Sequence, residues 1–213
     1  MALADLAAAG QVRWGAAVTL VLASLAVMGS PGPATISLTA AGSAYGLRPC
    51  ARYLAGIITG TVGVLAVVAA GITSALLAVP GLRVALIVLS AAYIVWLAYR
   101  IATAPPATMA AAATRPPSLV GGILLGIANP KAWLAISAVF ASARLAVGPV
   151  ADAVAKTVAL TLMIILICTA WLAVGASLAA VFRDPRRSRI FNIALSVLLV
   201  AATAATVARQ VKG

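Results

Sequence analysis

The sequence predicts an all-α integral membrane protein. Six transmembrane helices form two inverted three-helix repeats, and proline breaks the first helix of each half. Three observations predict this. The 213 residues are 64% hydrophobic and only 8% charged, with a mean hydropathy of +1.17, far from the roughly half-apolar composition of soluble domains. Six apolar stretches follow one another, each near or above the ~20 residues a span needs. Matched proline breaks then recur at Pro33 and Pro130, 97 positions apart.

The elements follow in order. The first stretch runs from Trp14 to Ala44 and is interrupted at Ser30-Pro31-Gly32-Pro33. As one straight helix its 31 residues would reach ~46 Å against a hydrocarbon core of ~30 Å, so a kinked or unwound segment is expected there. Pro31 and Pro33 lack a backbone donor, and Gly32 is conformationally loose. The second stretch is Tyr53 to Val79, ended by Pro80-Gly81, and the third is Leu82 to Ala102. A loop over 103–118 carries four prolines. The fourth stretch is Leu119 to Ala143, broken at Asn129-Pro130; the fifth is about Ala153 to Phe182; the sixth is Ile190 to Val207. The chain thus reads as a single domain over 1–213, with repeat one at about 14–102 and repeat two at about 119–209. Three spans per half force the halves to be inverted. Matched breaks in inverted halves point to a transporter site near the membrane midplane.

The formal charge of +12 does not indicate nucleic acid. The cations form no face; they mark the ends of apolar runs, as interfacial residues of a multi-pass protein do. Arg13, Arg83, Arg144, Lys156, Arg209 and Lys212 make six on one side; Arg48, Arg52, Arg100, Arg115, Arg183, Arg186, Arg187 and Arg189 make eight on the other. The richer side is favoured as cytoplasmic, placing both termini outside. Residues 1–11 carry Asp5 and no cation, which argues against a cleaved signal peptide.

Lys131 is the most telling side chain. It lies 12 residues from either end of the fourth stretch, ~18 Å if helical and long for a snorkelling lysine. An ionisable group at such depth costs ~2.5–3.5 kcal/mol to insert and is a functional candidate by default. Its ammonium would meet a solute carboxylate, helped by backbone donors freed where a helix restarts after Pro130. Asn129 offers an amide in the same break, or serves as an Asn-Pro turn residue. Gly32 would permit close backbone approach. Tyr93 and Trp133 lie well inside their spans and could line a site, whereas Trp14, Tyr45, Tyr53, Trp96 and Tyr99 read as an interfacial belt. Gly56-x-x-x-Gly60 and Gly122-x-x-x-Gly126 are spacings that let helices approach closely. Asp152 and Lys156, four apart, read as a helix-end ion pair worth ~0.2–0.5 kcal/mol.

The only acids, Asp5, Asp152 and Asp184, stand near the ends of apolar runs, and there is no histidine. A cationic solute would lack a counter-ion, so a neutral or anionic one is expected. Two rival readings stay open. Cys50 and Cys168 could form a membrane thiol–disulfide carrier, although Cys50 shifted by 97 positions falls on Val147. A metal-ion exporter would lack the oxygen and imidazole ligands it normally needs.

These motifs, in order and at matching separations, resemble the lysine exporter and homoserine/threonine resistance (LysE/RhtB) family. They are Pro31-Gly32-Pro33, Gly46-Leu47-Arg48, Gly56-x-x-x-Gly60, Ala91-Ala92-Tyr93-Ile94, and Gly122 followed by Asn129-Pro130-Lys131-Ala132. Ala34 stands where that family often has an acidic or amide residue, and Cys50 where glycine is usual. The resemblance implies efflux of amino acids or similar small metabolites across a bacterial cytoplasmic membrane, driven by a coupling ion or the membrane potential. It implies no enzymatic step, cofactor or metal, and it is compatible with a homo-oligomer. The candidate site is then Pro31, Gly32, Pro33, Asn129, Pro130 and Lys131, with Tyr93.

Overall fold

The structure is a computed structural model. It describes residues 14–71 and 116–181, with single residues between 88 and 103 and between 186 and 204. Tyr93 and most of the third and sixth apolar stretches lie outside the described residues, as does the loop over 104–115.

The described elements are helical. Helix α1 covers Trp14–Ala23 and continues as a wider π-helical turn, Ser24–Met28. Helix α2 covers Pro33–Tyr45, α3 Leu47–Ala69, α4 Leu119–Ala128, α5 Pro130–Ser142 and α6 Pro149–Val181. The axis bends by 69° between Met28 and Pro33 and by 58° between Ala128 and Pro130. Among the described residues two helices are long and apolar enough to cross a membrane, α3 and α6, and the number rises to four if each bent pair is one span. The expected breaks therefore fall where proline removes the backbone donor.

Helix α3 begins earlier than the expected Tyr53 and ends at Ala69, before the expected Val79. Gly46, at φ 84°, makes the turn into it, and Gly71, at φ 73°, follows its end; both sit in the left-handed region that suits glycine. Arg48 and Arg52 ride exposed on its first turns. Its buried residues, Cys50, Tyr53, Gly56, Ile57, Gly60, Thr61, Val64, Leu65 and Val68, recur at helical spacing and form one inward stripe. Tyr53 is therefore no belt residue: it is fully buried, and its hydroxyl donates to Ser37 Oγ at 3.2 Å. Trp14, Trp96 and Tyr99 are exposed, in keeping with a belt.

Glycine sets the helix spacing. A Cβ on Gly56 would lie 2.2 Å from Leu119 O, one on Gly60 2.5 Å from Ile123 O, one on Gly122 2.4 Å from Tyr53 O, and one on Gly126 2.8 Å from Ile57 O. The two Gly-x-x-x-Gly spacings thus pack on each other, backbone to backbone. Helices α2 and α6 meet similarly, with Gly42 against Leu172 O and Gly175 against Thr39 O.

The Asp152–Lys156 pair does more than decorate a helix end. Its atoms are 2.8 Å apart, with side chains 14% and 7% exposed. Asp152 Oδ1 accepts the N–H groups of Leu145 and Ala146 at 2.6 and 3.3 Å, and Lys156 Nζ lies 4.9 Å from the centre of the Phe140 ring. The cluster fastens the α5–α6 connection to α6. Breaking one partner of such a buried pair leaves an uncompensated charge, so Asp152→Ala is expected to destabilise the protein by ~3–5 kcal/mol. Asp152→Leu combined with Lys156→Met should cost clearly less, and thermal melting of the detergent-purified variants checks the order.

Candidate functional site

The two breaks meet. Their chemistry follows from which backbone groups proline and the bends leave without partners. Prolines 31 and 33 deprive the carbonyls of Val27 and Gly29 of their usual donors four residues on. Side chains supply replacements. Ser30 Oγ donates to Val27 O at 2.9 Å and Trp171 Nε1 to Gly29 O at 3.1 Å. Lys131 Nζ donates to Ser30 O and, at 3.3 Å, to Pro31 O. The ammonium of the second break thus bridges to the carbonyl end of the first, across about 100 residues of chain.

The same accounting holds at the second break. Asn129 Oδ1 accepts the Lys131 N–H at 3.1 Å and so caps α5. That N–H would otherwise bond Ile127 O, which instead accepts from Trp133 Nε1 at 2.7 Å. Asn129 therefore acts as a turn and capping residue, and its side chain also lines the cavity between the breaks. Trp133 is buried at 7% exposure and is not among the residues lining that cavity.

Gly32 is needed for space. Its φ of −166° and ψ of −179° are extended and open to any residue, but a Cβ there would lie 2.5 Å from Lys131 Cδ. The close approach expected of this glycine is made by the lysine stem. Thr35 closes the turn: its Oγ1 accepts the Gly32 N–H at 2.8 Å.

A cavity of about 50 Å³ is lined from both breaks by Met28, Gly32, Thr35, Asn129 and Lys131, together with Thr61 of α3 and residues of α6. That is room for roughly three to five water-sized spheres. The N-termini of α2 and α5 both abut it through Ala34, Thr35 and Ala132, and both favour negative charge. Among the described residues, one cation and no carboxylate line it. Pro31, Pro33 and Pro130 shape the breaks without lining the cavity, and Tyr93 lies outside the described residues.

The cysteines sit apart in role. Cys50 is fully buried and its thiol donates to Ala41 O at 3.3 Å, whereas Cys168 lines the cavity. Trp171 and Thr35 were not legible as site residues in the motif pattern. A tryptophan in mid-span always poses the question of where its N–H goes, and that was the available signal. Trp171→Phe should leave Gly29 O unsatisfied, at a cost of ~1–3 kcal/mol, read as a lower melting temperature of the purified protein.

Apolar helices, two bent helix pairs and a charged cavity between their breaks point to a multi-pass membrane transporter. The chain belongs to the LysE type translocator family, whose model matches residues 23–209. That is a family of transporters, not of enzymes. No curated protein and no solved structure matches the chain.

Proposed function

We propose that this translocator is a six-span secondary exporter, built as two inverted three-span repeats, that carries small amino-acid-like carboxylates with uncharged side chains out of a bacterial cell. The observation that carries the reading is the bridge from Lys131 to the Ser30 and Pro31 carbonyls. It makes one titratable cation the link between two discontinuous helices, at a cavity faced by two helix N-termini.

Lys131 and the α5 N-terminus take the solute carboxylate, and Asn129 holds that turn in shape. As the carboxylate draws the ammonium away, the Ser30 and Pro31 oxygens become free to accept the solute's own ammonium. The exchange replaces one internal bridge by two solute contacts, so the link between the halves depends on what is bound. Rocking of one half against the other then gives alternating access, driven by a coupling ion or the membrane potential across the cytoplasmic membrane. Among the described residues no carboxylate lines the cavity, which disfavours cationic side chains, whose burial without a partner is costly.

The test is efflux from bacteria loaded with dipeptides and expressing the chain. Leucine should leave faster than in cells lacking it, and lysine should not. Equal acceleration of both would sink the neutral preference; acceleration of neither, nor of alanine, would sink export. The thiol-carrier reading gains nothing from a Cys50 held in the core, and replacing Cys50 alone, which would disable a two-cysteine carrier, should leave efflux in place.

A further inference from the structure

We infer that one face of α6, formed by Ile164, Ile167 and Cys168, is the wall that selects the solute's side chain. The inference rests on the reading of the cavity as the solute site. The three residues stand at i, i+3 and i+4, on one side of a helix. All three are buried, at 2%, 6% and 6% exposure, and all three line the cavity.

The lining has a polar part and an apolar part, and α5 adds Ala132, Ala135 and Ile136 beside α6 on the apolar part. The breaks contribute its charge and capped backbone: Lys131, Asn129, Gly32 and Thr35. Helix α6 is unbroken through this region and contributes only apolar atoms and one thiol. A solute held by its carboxylate at Lys131 and filling the cavity touches both parts. Its side chain is then judged by α6.

Such a wall discriminates only if it stays in place, and α6 is tied to the first break. Trp171, one turn beyond Cys168, donates to Gly29 O at 3.1 Å. Its own carbonyl accepts from Thr39 Oγ1 at 3.3 Å. Gly175 lets α2 lie directly on the α6 backbone, where a Cβ would be 2.1 Å from Thr39 O. A wall fixed at backbone level relaxes little around a larger solute, as in any close-packed interior. With no anion on it, it also rejects a charged side chain.

The experiment loads cells separately with alanine-, leucine- and lysine-containing dipeptides and compares efflux from wild type, Ile167→Ala and Cys168→Asp. Membrane levels of each variant are measured alongside. Ile167→Ala should raise the leucine-to-alanine efflux ratio about tenfold, the usual scale for hydrophobic pocket changes. Cys168→Asp should confer lysine efflux, a gain that a damaged protein cannot mimic. If either variant fails to reach the membrane, Ile167→Val, which removes one methylene, should move the leucine-to-alanine ratio in the same direction. Wild-type export with ratios unchanged in every variant that reaches the membrane would overturn the wall alone. A wild type that moves none of the three solutes would overturn the export reading and the wall with it.

Discussion

Lys131→Ala is expected to lower efflux by about 10- to 100-fold while the protein still reaches the membrane. The magnitude follows from hydrogen bonds to a charged group, each worth ~1.5–3 kcal/mol. The substitution removes the cation from the cavity and the bridge to the Ser30 and Pro31 carbonyls together. Lys131→Arg should not restore transport. A guanidinium is planar and wider than an ammonium, and the lysine stem already fills the space where Gly32 lacks a side chain, a Cβ there lying 2.5 Å from Lys131 Cδ. For the same reason Gly32→Ala should reproduce much of the loss by pushing the stem aside. The check is initial efflux rate from dipeptide-loaded cells, normalised to membrane-inserted protein. A wild-type rate for Lys131→Ala would remove the carboxylate-binding role.

Gly56→Ala and Gly122→Ala are expected to be among the most damaging single-methyl changes in the described helices, with Gly175→Ala on the α2–α6 contact beside them. At Gly56 and Gly122 the new carbon would lie 2.2–2.4 Å from a backbone oxygen of the facing helix. Backbone cannot swing away as a side-chain end can, so α3 and α4 must separate along the whole contact. Overpacking of this kind typically costs ~1–3 kcal/mol, occasionally more. Gly63 lies on the same helix α3 with nothing within 4 Å of its would-be Cβ. Gly63→Ala should therefore be neutral, or stabilising by up to ~1 kcal/mol through helix propensity. Melting temperatures and monodisperse yield in detergent separate the cases. Equal behaviour of Gly56→Ala and Gly63→Ala would refute the packing account.

Both expectations concern features that local sequence announces unequally. The Gly-x-x-x-Gly spacings were visible, but nothing in either spacing names its partner helix. Proline locates both breaks because the missing N–H is a property of one residue. Which donors repair the orphaned carbonyls is a question of three-dimensional proximity. Trp171, 142 residues from Gly29, answers one part of it, and Lys131 another. Tyr53 stands at the start of its apolar stretch, which suggests a belt; the helical stripe Cys50–Tyr53–Ile57 carries the better signal. The Asp152–Lys156 spacing announces a helix-end ion pair and not its burial, since i,i+4 separation fixes adjacency alone.

Read along one dimension, the chain announces a helical membrane protein, the places where two of its apolar runs break, and an isolated lysine in the second break. Those are consequences of composition, of apolar run length and of proline's lost donor, each readable along one dimension. Only the tertiary structure decided that the lysine reaches the carbonyls of the other break, that two pairs of glycines lock together, and that α6 closes the cavity. Each of those depends on bringing together residues distant in the chain, and the strength of a charge, a hydrogen bond or a close backbone contact is set by distance in space.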